Sequence, residues 1–125
     1  MKDASLLRYS RQIMLPEFDI AGQQRLNEAR VLVVGMGGLG CPAAMYLAAA
    51  GVGSLIIVDD DTVELTNLQR QIAHTERDLG HSKVESAKNT LEALNPEVDV
   101  LAIDERVDAG RLCELVEQVD VVVDA

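Results

Sequence analysis

Three glycines spaced Gly35-x-Gly37-x-x-Gly40 follow directly on the apolar run Val31-Leu32-Val33-Val34. That spacing suits a phosphate-binding turn. Gly35 permits the tight turn off a strand, Gly37 lets backbone approach a phosphate with no Cβ in the way, and Gly40 lets the next helix sit close on the sheet. Free N–H groups and the positive end of the helix dipole then face the anion. A second apolar run, Leu55-Ile56-Ile57-Val58, ends in Asp59. This acid falls about 20 residues past the glycines, where nucleotide-binding βαβ units place the carboxylate that takes the ribose hydroxyls. A tight turn whose glycines serve packing alone is the other reading of the same residues.

Asp59-Asp60-Asp61-Thr62-Val63-Glu64-Leu65-Thr66-Asn67-Leu68-Gln69-Arg70-Gln71 then leaves the carboxyl end of that strand, the edge where open α/β sheets bind ligands. One helical turn puts Asn67 and Arg70 or Gln71 on a common face. A solvated loop accounts for the same composition without a ligand. Lys83 falls in the first turn of a helix, where a cation opposes the dipole; a surface lysine and a cation held near the ligand edge both fit. Cys41, at a helix N-terminus, is open as a nucleophile or as a small packing residue. Cys113 lies among Leu112, Leu115 and Val116 and is expected in the core. The two cysteines are far apart in sequence and are expected as thiols of a reducing compartment.

The elements that must position these residues read as follows. Ser5 to Leu15 shows helical spacing, with Leu6, Tyr9, Ile13 and Leu7 on one side, and Pro16 ends it. A short helix follows from Ala21 to Ala29, and this arm is open to a packing or a dimerisation role. Cys41 to Ala50 is helical, with Gly51 as its stop. Ser82 to Leu94 is an amphipathic helix with Val84, Ala87, Leu91 and Leu94 inward, closed by Asn95-Pro96. Strand three is Val98 to Ile103, a helix covers Asp108 to Gln118, and strand four is Val119 to Val123. The order β-α-β-α-β-α-β predicts right-handed crossovers and a parallel sheet. The fold class is therefore α/β: a Rossmann-like parallel sheet with flanking helices, the first half of a doubly wound fold, preceded by an N-terminal helical arm. Residues 1–28 form the arm and residues 29–125 the nucleotide-binding domain. That domain is expected to be incomplete at its C-terminus, because doubly wound folds continue past strand four.

Hydrophobic residues make up 48% of the 125 and aromatics only 2%, so the core must be Val, Leu, Ile and Ala under Ala-rich helices. A formal net charge of -10 repels nucleic-acid backbones and anionic membranes as general partners. No stretch reaches the ~18 apolar residues of a membrane span, and the N-terminus lacks a signal peptide's apolar core. A cytoplasmic location is the simplest reading.

Several of these segments together resemble the adenylylating enzymes that activate ubiquitin-like proteins and bacterial sulfur carriers, the MoeB/ThiF/HesA type. The resemblance rests on Arg8-Tyr9-Ser10-Arg11-Gln12, Gly35-Met36-Gly37-Gly38-Leu39-Gly40, Ala50-Gly51-Val52-Gly53, Asp59-x-Asp61-x-Val63, Asn67-Leu68-Gln69-Arg70-Gln71, Gly80-x-x-Lys83 and Asn95-Pro96. It looks most like the molybdopterin-synthase activating branch, with the thiazole-synthesis branch close behind.

The resemblance implies ATP-dependent adenylylation of the C-terminal glycine of a ubiquitin-like sulfur-carrier protein, with Mg²⁺, by a homodimer. Gly38 would lie against the nucleotide and Asp59 would hold the ribose. Asn67, Arg70 and Lys83 would contact phosphates, and Arg11 would reach the ATP of the neighbouring subunit. Gly35, Gly37, Gly40, Asp61 and Gln71 complete the implied nucleotide contacts. No metal ligand is expected among these residues, since the family's magnesium-site aspartate and its zinc-binding Cys-x-x-Cys pairs lie beyond strand four. The chain is thus expected to be the N-terminal portion of a longer protein. Three alternatives stand beside this reading: an NAD-dependent oxidoreductase domain, a relative that dehydrates a modified adenosine in tRNA (threonylcarbamoyladenosine dehydratase-like), and an inactive nucleotide-binding fragment.

Overall fold

Apolar runs become the strands of a parallel sheet, the two central ones covered on both faces and the two edge ones only in part. In the computed structural model, which describes residues 1–125, these are β1 (Arg30–Val34), β2 (Ser54–Asp59), β3 (Asp99–Asp104) and β4 (Val121–Asp124). They form one all-parallel sheet in the order β3-β2-β1-β4. The chain leaves β1 toward β2 on one side and returns as β4 on the other. The carboxyl end of β1 is therefore the switch point of the sheet, where ligands bind in such folds.

Helices α4 (Gly40–Ala50) and α5 (Lys83–Leu94) cover one face, burying Val31, Val33, Leu55 and Ile57 against Ala44, Ala48, Val84, Ala87 and Leu91. The alternate strand residues Leu32, Ile56, Val58 and Ile103 point to the other face and meet Leu115 of α6 (Ala109–Val116). Each fully buried Leu or Ile stabilises the fold by roughly 1.5–3 kcal/mol. Only α6 lies on this second face. Leu101 and Val122, in register with Ile56 and Leu32, accordingly stay 53% and 42% exposed.

Three expectations are corrected. The arm is not one helix over Ser5 to Leu15: it breaks at Tyr9 into α1 (Asp3–Arg8) and α2 (Ser10–Ile13), before α3 (Asp19–Glu28). The break lets three anchors engage at once. Tyr9 Oη accepts from Asn95 Nδ2 at 2.8 Å, the Ser5 hydroxyl donates to Glu97 at 2.5 Å, and Gln12 Nε2 donates to the Ala50 carbonyl at 2.9 Å. Leu7 consequently faces solvent. Cys113 is exposed rather than core, because α6 buries a single narrow stripe through Leu112 and Leu115, and the next residue after Leu112 has turned away. Leu94, at the last position of α5, is also exposed, because it sits in a surface hollow with Tyr46 and Ile72 rather than in the core. No helix is long and apolar enough to cross a membrane.

Candidate functional site

The turn after β1 takes the shape its glycines allow. Gly35 has φ +100°, a left-handed conformation that L side chains rarely adopt. A Cβ on Gly40 would overlap the Gly35 carbonyl, so α4 begins hard against the turn. The consequence is a row of donors. The N–H groups of Gly37, Gly38, Leu39 and Gly40 find no backbone acceptor, and they open the N-terminus of an 11-residue helix. Unpaired amides at the positive end of a helix dipole suit an anion.

Asp59, at the end of β2, is tied into this turn. Its Oδ2 accepts the Met36 N–H at 2.7 Å and its Oδ1 accepts the Asp61 N–H at 2.9 Å. Each oxygen keeps one lone pair for a hydroxyl donor. A cleft of about 250 Å³ lies beside it, lined by Gly35, Asp59, Asp60, Glu105 and Arg106 at the carboxyl ends of β1 to β3. A larger surface hollow of about 590 Å³, between residues 75–81 and α5, holds none of the glycine-turn donors. Neither hollow is lined by Gly37 to Gly40, but the smaller one adjoins their turn through Gly35 and Asp59.

The polar segment after β2 folds as a 3₁₀ turn, Leu65–Asn67, extended by a helical turn in which the Gln71 N–H returns to the Asn67 carbonyl at 2.9 Å. Asn67 and Gln71 are thereby stacked and buried, as one turn of helix requires. The Asn67 Oδ1 accepts the Glu64 N–H at 3.0 Å and fixes the turn's start. Gln71 is 2% exposed, its Oε1 has no partner, and its Nε2 lies 3.7 Å from where a Gly37 Cβ would stand. Arg70 is exposed, with Nη1 3.6 Å from the corresponding position on Gly38. Both side chains therefore stand over the glycine turn.

Lys83 arrives from a different element. Residues 61–63 and 80–83 pair as a short antiparallel ribbon, through Val63 N–H to His81 O at 2.8 Å and Lys83 N–H to Asp61 O at 3.0 Å. That pairing sets Lys83 beside the end of β2. Its side chain is 8% exposed, and Nζ is 3.6 Å from an Asp61 carboxylate that is itself 69% exposed. A lysine so buried with one solvated partner is not the ordinary surface lysine.

Arg11 is elsewhere. It is exposed on α2, whose Gln12 bonds the Ala50 carbonyl at the far end of α4. An 11-residue helix is about 16 Å long, so Arg11 belongs to the opposite end of the sheet from its own glycine turn.

Beneath the turn lies a group that spacing and composition did not mark. His74 is buried, with Nε2 3.0 Å from the Met36 carbonyl and Nδ1 2.8 Å from Ser86 Oγ. Cys41 Sγ is 3.3 Å from the same carbonyl. Burial pushes the Cys41 thiol up, against smaller opposing effects of the Ala73 backbone and Lys83. The thiol is thus protonated and enclosed, a packing residue rather than a nucleophile. Cys113 lies on the opposite face of the sheet, so the two cysteines share no site. In a native sample one thiol per chain is expected to react promptly with an aromatic disulfide reagent and the second only on unfolding; two prompt thiols would contradict the enclosure of Cys41.

Residues 9–125 match the model of the ThiF family. A molybdopterin-synthase adenylyltransferase of Escherichia coli is 47% identical over 124 residues, which cover 99% of this chain and 50% of that protein. A SAMP-activating enzyme of Haloferax volcanii is 53% identical over 124 residues, covering 98% of this chain and 46% of that protein. The crystal structure of an E. coli tRNA N6-threonylcarbamoyladenosine dehydratase in complex with ATP has a TM-score of 0.91 at 30% identity, covering 99% of this chain and 51% of that one. The chain spans about half the length of the curated relatives it matches.

Proposed function

The chain belongs to the ThiF family, and on that premise we propose that it is the nucleotide-binding half of an adenylyltransferase that activates the C-terminal glycine of a ubiquitin-like sulfur-carrier protein. The observation that carries this reading is the set of donors over one turn: the unpaired amides of Gly37 to Gly40 with the Arg70 guanidinium above Gly38. Such a set suits a polyphosphate. A dinucleotide oxidoreductase would share the glycines and Asp59 but leaves the polar segment from Asn67 to Gln71 unexplained.

In the proposed reaction a terminal carboxylate oxygen of the carrier attacks the α-phosphorus of ATP. The bond from that phosphorus to its bridging oxygen breaks, pyrophosphate leaves with the electron pair, and an acyl-adenylate remains. All the reacting groups are anionic, so catalysis consists of orienting them and neutralising the charge that develops. Asp59 takes the ribose hydroxyls on its free lone pairs. The glycine-turn amides, Asn67, Arg70, Gln71 and Lys83 hold phosphates, and Asp61 keeps Lys83 in place. Arg11 acts on the ATP of a second copy, a role in keeping with its distance from its own turn.

Magnesium bound to the triphosphate would screen its charge. The Asp59-Asp60-Asp61 cluster is a poor resident site for the ion, because both Asp59 oxygens hold backbone N–H groups and Asp61 faces Lys83. Magnesium held mainly by nucleotide phosphates suits this donor set.

The test is ATP–pyrophosphate exchange by the full-length protein with Mg²⁺ and a Gly-Gly-terminated sulfur carrier. Exchange that depends on the carrier is expected. A folded protein that exchanges nothing with any such carrier, yet turns over ATP with a threonylcarbamoyladenosine-bearing tRNA, would replace this reading with the dehydratase one. That second reading rests on the dehydratase-like fold match; the higher identity to sulfur-carrier enzymes favours the first.

A further inference from the structure

Met36, within the glycine turn, has both backbone polar groups held by side chains. Its N–H donates to Asp59, and its carbonyl faces His74 Nε2 at 3.0 Å and Cys41 Sγ at 3.3 Å. A carbonyl has no proton to give, so the imidazole nitrogen facing it carries one, whichever role Nδ1 takes toward Ser86. The thiol is a weak donor, which leaves the imidazole as the stronger hold on this carbonyl. The ring is itself fixed: His74 is 4% exposed, and the Thr90 hydroxyl donates to the Ala73 carbonyl at 2.6 Å.

The peptide between Met36 and Gly37 is trans, so its C=O and N–H point in opposite directions. Drawing the carbonyl down onto buried His74 and Cys41 therefore turns the Gly37 N–H the other way, away from those enclosed groups. That N–H is one of the donors without an acceptor.

We propose that His74 is a positioning residue for phosphate binding: its Nε2–H holds the Met36 carbonyl under the turn and so presents the Gly37 N–H to the nucleotide's phosphates. The proposal rests on the ATP reading above. It separates phosphate recognition from ribose recognition, since adenosine does not use the Gly37 N–H.

The experiment compares ATP and adenosine affinities for the full-length protein and its His74→Phe, His74→Gln and Ser86→Ala variants. In His74→Phe the preference for ATP over adenosine is expected to fall about tenfold, the size of one lost hydrogen bond to a charged group. Adenosine affinity should hold, His74→Gln should recover much of the preference through its own Nε2–H, and Ser86→Ala should keep it. A purely structural role would weaken both ligands alike. A folded His74→Phe protein with the wild-type ATP-to-adenosine ratio overturns the proposal. So does ¹⁵N NMR of the wild-type imidazole if Nε2 carries no proton, a readout that needs no variant to fold. A wild-type protein that prefers adenosine to ATP would instead remove the ATP reading itself, and the role of His74 with it.

Discussion

Replacing Lys83 by alanine in the full-length protein lowers carrier-dependent ATP–pyrophosphate exchange by about 10²- to 10³-fold, the usual cost of removing one charge-stabilising donor from a transition state. The fold should survive. The ammonium is nearly buried at the first residue of α5, against the positive end of that helix's dipole. Its one anionic partner, Asp61, is largely solvated, so the pair contributes little to stability. A cation kept in such surroundings has unspent donors, and the phosphates of ATP are the natural anions to receive them. Alanine removes this poorly compensated charge and is the best helix former, so the unfolding free energy should stay within about 1 kcal/mol of wild type. Arg70→Ala should show a comparable kinetic loss with even less effect on stability, since Arg70 is exposed. Near-normal exchange by both folded variants would sink the assignment of these cations to the phosphates.

The same residue shows what was legible beforehand. The strands were, because Val31 to Val34 and Leu55 to Val58 carry no polar alternation, and only a strand covered on both faces tolerates that. The glycine turn and Asp59 were legible for a related reason: local chain geometry fixes their spacing. Lys83 was half legible. Its place in the first turn of a helix hinted at a held cation, but its burial depends on the ribbon between residues 61–63 and 80–83, which no periodicity announces.

The position of Asp59 marks it as a ribose ligand, but its hold on the Met36 N–H is not legible, because that contact joins two separate strand ends. His74 was missed for the same reason. It follows a turn, belongs to no helix or strand, and gains its meaning only from the carbonyl above it. The arm misled differently: its helical spacing was real, but three side-chain anchors on separate elements outweighed the few bonds that one continuous helix would have kept.

The second large effect separates two glycines that the spacing treats alike. A Cβ on Gly40 would overlap the Gly35 carbonyl, a backbone atom that no rotamer change can move aside. Gly40→Ala must therefore lift the start of α4 off the turn, disturbing Cys41 and Met36, both fully enclosed. A loss of about 3 kcal/mol in unfolding free energy is expected, the upper end of overpacking costs. A Cβ on Gly37, by contrast, meets only Gln71 Nε2 at ordinary contact distance. Gly37→Ala should therefore unfold within about 1 kcal/mol of wild type, as substitutions outside the tightly packed core generally do. The new methyl group nevertheless stands on the turn whose amides are proposed to hold the phosphates, beside the Gln71 amide proposed to join them. Denaturant unfolding and ATP titration of both variants decide the matter. Gly37→Ala should weaken ATP by at least about tenfold, as displacement from even one amide donor to a charged phosphate would. If it binds ATP like wild type, the phosphates do not rest on this turn; if Gly40→Ala is as stable as wild type, α4 does not begin where the close approach to Gly35 requires.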